Sequence, residues 1–158
     1  MSIVPTLPRE AAADALRSAG LRVTAPRVAV LECLVERPHC SADALRQPVN
    51  DQLGAVSTQA IYDVLNALTE AGLTRRIEPA GHPALFETRT GDNHHHLVCR
   101  ECGAVEDVDC AAGKRPCLDA VDDRGFEIDE AEVTYWGHCP ACAEQARITR
   151  GSPTESRA

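Results

Sequence analysis

The sequence predicts an α+β chain, helical in its first half and strand-rich in its second. Three observations carry this reading. Four helix-like segments follow one another before residue 73; short β-like runs follow them; and two C-x-x-C pairs, Cys99/Cys102 and Cys139/Cys142, fall in the second half.

Each element has its own signal. "REAAADALRSAG" is alanine-rich and ends at Gly20. "TAPRVAVLECLVERP" opens with Thr24 as N-cap and Pro26 in the first turn, where a missing N–H costs little. Val28, Leu31 and Val35 are spaced for one buried face. "SADALRQPVNDQLG" starts at Ser41, and Pro48 is expected to end or kink it. In "VSTQAIYDVLNALTEAGL" the apolar residues Ile61, Val64, Leu65 and Leu68 share one face, Ser57 is the cap and Gly72 the stop. "LTRRIEPAGHPALFET" reads as two short strands around a turn.

Helices followed by a hairpin outline an N-terminal winged helix-turn-helix. The fourth helix would then enter the major groove of double-stranded DNA. Ser57, Thr58, Gln59, Tyr62 and Asn66 become the residues facing bases or phosphates, and Arg22, Arg27, Arg75 and Arg76 hold the backbone. The competing reading is a helical domain that touches no DNA, its polar stripe merely solvated.

Charge confines that role. The chain of 158 residues carries −8 overall. Residues 1–88 hold eight Lys/Arg against ten Asp/Glu, and residues 89–158 hold eight against fourteen. A polybasic nucleic-acid coat is excluded, and DNA contact belongs to arginines clustered in the first half. Hydrophobic content is 44% with only five aromatics (Tyr62, Phe86, Phe126, Tyr135, Trp136), so aliphatic packing carries the core. No run approaches a membrane span, and the N-terminus lacks a basic region followed by an apolar one. The expected compartment is the cytoplasm, with no membrane partner and with thiols reduced or metal-bound.

The donor residues read as two sites. In "DNHHHLVCRECG" a strand would put His94 and His96 on one face, and His95 with Cys99 on the other. Cys99, Cys102, Cys139 and Cys142 supply four thiolates in two chelating pairs, suited to a structural Zn²⁺ with no open position for substrate. A redox disulfide pair or a rubredoxin-like iron centre is the alternative. Between the pairs a strand ("AVEDVD"), a helix ("GKRPCLDAVDDRG") and a strand ("FEIDEAEVTYWGHC") are expected. His94 and His96 need nitrogen or oxygen partners; Glu87, Asp107 and the distant His39 are candidates, in a set that suits Fe²⁺, Mn²⁺ or Zn²⁺.

The segments "GLRVTAPRVAVLE", "AIYDVLNALTEAGL", "FETRTGDNHHHLVCRECG" and "YWGHCPAC" together resemble the Fur family of metal-dependent transcriptional repressors. The likeness extends over nearly the whole chain. The insert "DVDCAAGKRPCLDA", with Cys110 and Cys117, is most like the actinobacterial FurA/CatR type. The resemblance implies structural zinc on Cys99, Cys102, Cys139 and Cys142. It also implies a regulatory ion, Fe²⁺ or else Mn²⁺ or Zn²⁺, on His39, Glu87, His94 and His96, with Asp107 as a further carboxylate. It further implies a homodimer on a palindromic operator, and repression of a catalase or catalase-peroxidase gene. Asn93 stands where many members have another histidine, and Asp63 replaces the arginine common in "VYRxL".

The expected organisation is a winged-helix DNA-binding domain over 1–88, a hinge over 89–93, a small α/β dimerisation and metal-binding domain with the four-cysteine zinc site over 94–145, and a disordered tail over 146–158. Cys110 and Cys117 are redox candidates, with Cys33 and Cys40 as alternative thiol targets. A zinc- or general iron-uptake repressor is the second reading. An enzyme is a third, weakened because the deaminase pattern needs H-x-E and P-C-x-x-C and neither is present.

Overall fold

The structure, a computed structural model, describes residues 7–92, 94–109, 122–128 and 131–150. The chain divides into two compact units, with the break between Asp92 and Asn93.

The first unit holds four helices and a two-stranded wing: α1 (Arg9–Ser18), α2 (Ala25–Glu36), α3 (Ala42–Leu53), α4 (Thr58–Glu70), β1 (Arg75–Ile77) and β2 (Leu85–Glu87). Local chemistry sets most boundaries. The Ser41 and Ser57 hydroxyls accept from the backbone N–H of Ala44 at 3.2 Å and of Ala60 at 3.1 Å, capping α3 and α4. Thr24 takes the N-cap position of α2, but its side chain makes no capping bond. Gly20 and Gly72 follow α1 and α4 with φ of 73°, the left-handed conformation that closes a helix at no steric cost.

One expectation fails here and another is narrowed. Helix α2 does not bury one face alone: Val28, Ala29, Val30, Leu31, Cys33 and Leu34 are all buried, while Val35 is only half-buried. It is the central helix, packed against α1, α3 and α4, so nearly every side is an inside. Of the two outcomes expected of Pro48, it does not end α3, which runs on to Leu53. Leu45 and Val49 on either side are fully buried, and that packing holds the helix through the missing hydrogen bond.

Leu16, Val30, Leu34, Leu45, Val49, Ile61, Leu65, Leu68 and Phe86 form the fully buried centre. Each such side chain contributes on the order of 1.5–3 kcal/mol by leaving water. Phe86 comes from the wing. Its N–H donates to the Cys40 carbonyl at 2.9 Å, and this bridge ties β2 to the segment between α2 and α3.

The second unit is a three-stranded sheet in the order β4-β3-β5, formed by β3 (His94–Cys99), β4 (Val105–Asp109) and β5 (Thr134–Gly137), followed by α5 (Pro140–Arg150). Strands β3 and β4 run antiparallel, while β3 and β5 run parallel. Among the described residues the expected strand "FEIDEAEVTYWGHC" is realised at Thr134–Gly137 alone; Phe126–Ile128 are exposed and outside any strand. The tail expected from residue 146 is helical as far as residue 150, because α5 continues from the second cysteine pair. The expected insert helix and the redox candidates Cys110 and Cys117 lie outside the described residues, save for 122–125, which turn.

Candidate metal centres

The thiol group is assembled by the parallel pairing. Cys99 is the last residue of β3 and sits in register with Gly137, the last residue of β5, two positions before Cys139. Parallel strands end at the same edge of a sheet, so both C-x-x-C turns begin side by side; an antiparallel pairing would hold them apart. Backbone bonds lock the arrangement: Arg100 N–H donates to the Gly137 carbonyl at 2.8 Å and Gly103 N–H to the Cys99 carbonyl at 3.0 Å. Gly103 takes φ of 72° at the end of the first turn. Cys142 lies in the first turn of α5, which begins at Pro140.

Ligand atoms of Cys99, Cys102, Cys139 and Cys142 all lie within 4.8 Å of one another. The Cys102 and Cys139 sulfurs are 3.7 Å apart. A tetrahedron with Zn–S arms of ~2.3 Å has edges of about 3.8 Å, so the thiol group fits the ion. Its electrostatics fit too. N–H groups of Cys102 and Cys139 bring the Cys99 thiol down to about 6, the Cys139 N–H standing 3.3 Å from its sulfur. Hydrogen bonding with Cys139 and Cys102 pushes the Cys142 thiol up to about 12. One sulfur is prepared as thiolate and another retains the shared proton, which a cation must displace. The Arg100 guanidinium lies 5.2 Å from the Trp136 ring centroid, bringing a positive charge next to the first turn.

His94 and His96 lie on the face of the sheet opposite Cys99. Strand alternation sets His94, His96 and Val98 on one face, and His95, Leu97 and Cys99 on the other. The register places Asp109 opposite His94 and Asp107 opposite His96. Asp107 Oδ1 stands 3.7 Å from His94 Nε2 and 3.6 Å from His96 Nε2. Those spacings exceed a good hydrogen bond and are close to the roughly 3.4 Å edge of a tetrahedron with ~2.1 Å metal–nitrogen and metal–oxygen arms. Both imidazoles are buried. His95 instead meets Tyr135, edge to face at 6.2 Å.

In the first unit, His39 Nε2 and Glu87 Oε2 are 3.0 Å apart, although 48 residues separate them. The Cys40–Phe86 bridge makes this pairing, since each partner is the chain neighbour of a bridged residue. His39 adopts φ of 58°, unusual for a side-chain-bearing residue and costing roughly 1 kcal/mol. Glu87 is 1% exposed, and a carboxylate so deeply buried demands a cationic or hydrogen-bonding partner.

The residues expected to face DNA are distributed over the first unit. On α4, Gln59 and Asn66 are exposed, while Thr58 is half-buried and Tyr62 packs partly against the core. The Ser57 hydroxyl is committed to its cap. Arg22 is exposed and accepts from Arg27 Nη1 through its carbonyl at 2.8 Å. Arg75 lies in register with Glu87, and Arg76 pairs with Glu78. One contact is absent from the sequence-based expectations: Gln59 Nε2 donates to Asp63 Oδ1 at 2.9 Å. The i,i+4 spacing of an amide and a carboxylate on one helix is its sequence signal. Cys33 and Cys40, the alternative thiol targets, are both pushed up by burial and so held as unreactive thiols.

Residues 18–136 match the ferric uptake regulator family. Ferric uptake regulation protein 1 of Mycolicibacterium fortuitum is 57% identical over 138 residues, which are 87% of this chain and 85% of that protein. The transcriptional regulator FurA of Mycobacterium tuberculosis is 57% identical over 131 residues, covering 83% of this chain and 89% of its own. The solved structure of the ferric uptake regulator from Pseudomonas aeruginosa with manganese matches with a TM-score of 0.60 at 29% identity, over 82% of this chain and 98% of that one.

Proposed function

The chain belongs to the ferric uptake regulator family of metal-responsive transcriptional regulators, and from that premise we propose that it is a repressor whose operator binding is switched by a second metal ion, distinct from its zinc. The carrying observation is chemical: four sulfurs gather where β3 and β5 end, while strand alternation turns His94 and His96, with Asp107 opposite, away from Cys99. One ion cannot serve both groups.

Zinc on the four cysteines leaves no open coordination position, so its role is to brace the second unit. The regulatory ion draws on His94, His96 and Asp107 together with His39 and Glu87, an assignment supported by the resemblance and by the donor chemistry of each group. Fe²⁺, Mn²⁺ or Zn²⁺ would supply there a charge that the imidazoles and carboxylates share. Because these donors come from both units, holding them on one ion restricts how the reading helix is presented. The restriction favours DNA binding only through tighter metal binding in the DNA-competent arrangement. An affinity ratio near 100 corresponds to about 2.7 kcal/mol.

A homodimer on a palindromic double-stranded operator completes the reading, with α4 of each copy in a major groove. Catalase or catalase-peroxidase is the proposed target, with peroxide lowering occupancy by oxidising a ligating histidine or a thiol of the insert; removal of any donor loosens the ion. The relatives are named as regulators, which supports a non-enzymatic role. Among the described residues no helix is long and apolar enough to cross a membrane. A zinc- or general iron-uptake repressor remains the second reading, because the donor set suits all three metals.

Operator binding by the purified protein, zinc-loaded and then given Fe²⁺, Mn²⁺ or Zn²⁺, before and after hydrogen peroxide, tests this. Fe²⁺-dependent binding that peroxide abolishes is the expected result. Equal affinity in every state would remove the switch.

A further inference from the structure

Helix α4 contains no lysine or arginine between Thr58 and Glu70, so its exposed face cannot hold phosphate by charge. What it presents instead is the hydrogen-bonded pair of Gln59 and Asp63. Both side chains are exposed, on successive turns of a helix whose start is fixed by the Ser57 cap. Donating one N–H to Asp63 restrains the Gln59 amide and leaves its second N–H and its carbonyl oxygen outside that bond, on an exposed side chain. That donor–acceptor couple is complementary to the N7 acceptor and N6 amino group of adenine in the major groove. The remaining Asp63 oxygen only accepts. It tolerates the amino groups of adenine and cytosine and repels the acceptor atoms that guanine and thymine present.

We propose that Gln59 and Asp63 act as one specificity-determining unit, Gln59 selecting adenine and Asp63 both holding the amide and excluding guanine and thymine. The proposal rests on the reading of α4 as the groove-facing helix. It places discrimination in a neutral amide and a carboxylate, and leaves backbone attraction to arginines outside α4. Asp63 itself weakens attachment to unrelated DNA, because its charge faces phosphates without a counter-charge on its own helix.

The test is selection from a pool of randomised duplexes by the metal-loaded full chain, alongside Gln59→Ala, Asp63→Ala and Asp63→Asn. The wild type is expected to enrich a palindrome with one position per half-site that prefers adenine by about tenfold. Gln59→Ala loses the choice of adenine over cytosine at that position alone, while Asp63 still disfavours guanine and thymine there. Asp63→Ala admits guanine or thymine there and binds unrelated duplexes more tightly. Asp63→Asn, still able to accept from Gln59, keeps the adenine preference while shedding the repulsion. Both sites are exposed, so the fold and the zinc content are expected to survive. A wild-type palindrome whose preferences pass unchanged through Gln59→Ala and Asp63→Ala overturns the proposal and leaves α4 a DNA-facing helix. A wild type that enriches no sequence overturns both.

Discussion

The two units are held together by different means. The first unit buries a continuous aliphatic core, with Leu16, Leu34, Leu45, Ile61, Leu65 and Leu68 all fully removed from water. In the second, the buried apolar side chains among the described residues are Val98 and Cys99, while Leu97, Phe126, Ile128, Tyr135 and Ile148 are exposed. Among the described residues, burial on that scale offsets little of the backbone entropy of ordering a sheet and a helix. The four thiols supply the missing term. In small zinc modules the ion contributes on the order of 10 kcal/mol to folding. Among the described residues the first unit is therefore stabilised by apolar burial, and the second is expected to draw much of its stability from a bound ion.

Removing zinc should sharpen that contrast most. Cys102→Ser, or a strong chelator at neutral pH, is expected to erase the tertiary signals of the second unit while the helical signal of the first persists. Circular dichroism and amide chemical-shift dispersion read the two separately; a second unit still ordered without metal would break the comparison. The effect should also follow pH. Thiols must lose their protons to bind, so zinc uptake at pH 7 should release protons, including the one held by Cys142; affinity should therefore already fall as pH is lowered from 7, and more steeply below about 6, where Cys99 regains its proton.

Leu65→Ala attacks the other side. It should cost about 2–5 kcal/mol through lost burial and an unfilled cavity, lowering the melting temperature of the first unit while leaving zinc stoichiometry unchanged. His39→Ala removes one regulatory donor. It should leave the tightly held zinc in place and reduce the metal-dependent gain in operator affinity by roughly 100-fold, equivalent to about 2.7 kcal/mol. Metal analysis with binding isotherms distinguishes this from general unfolding, in which zinc would be lost as well. Ser57→Ala is the smallest perturbation. Loss of the cap on α4 should cost about 1 kcal/mol, seen as a modest shift in the first unit's denaturation midpoint.

Local rules read most of the first unit well. The caps at Ser41 and Ser57, the stops at Gly20 and Gly72, and the two strands of the wing follow from residue chemistry within a few positions of each boundary. The same rules misjudge α2, and Pro48 does not end its helix, for one reason. Periodicity assumes a helix with one wet face, and a local breaker assumes an isolated helix; α2 is enclosed on several sides, and α3 is held by its packed neighbours. Val35 is misread, and Pro48 is tolerated within its helix, because burial is a property of the assembled unit.

For the metal centres the division is similar. The paired C-x-x-C spacings identify the sulfur donors, and the two-residue repeat of a strand is enough to separate His94 and His96 from Cys99. Nothing near His39 in the chain points to Glu87, and nothing near Cys99 says that β5 runs parallel to it. The sequence by itself determined which atoms could bind metal and which side chains alternate, because both are fixed by residue type and backbone period. Only the tertiary structure decided which distant donors meet. The Cys40–Phe86 bridge and the parallel β3–β5 register are long-range hydrogen-bonding choices, selected by the packing of whole elements.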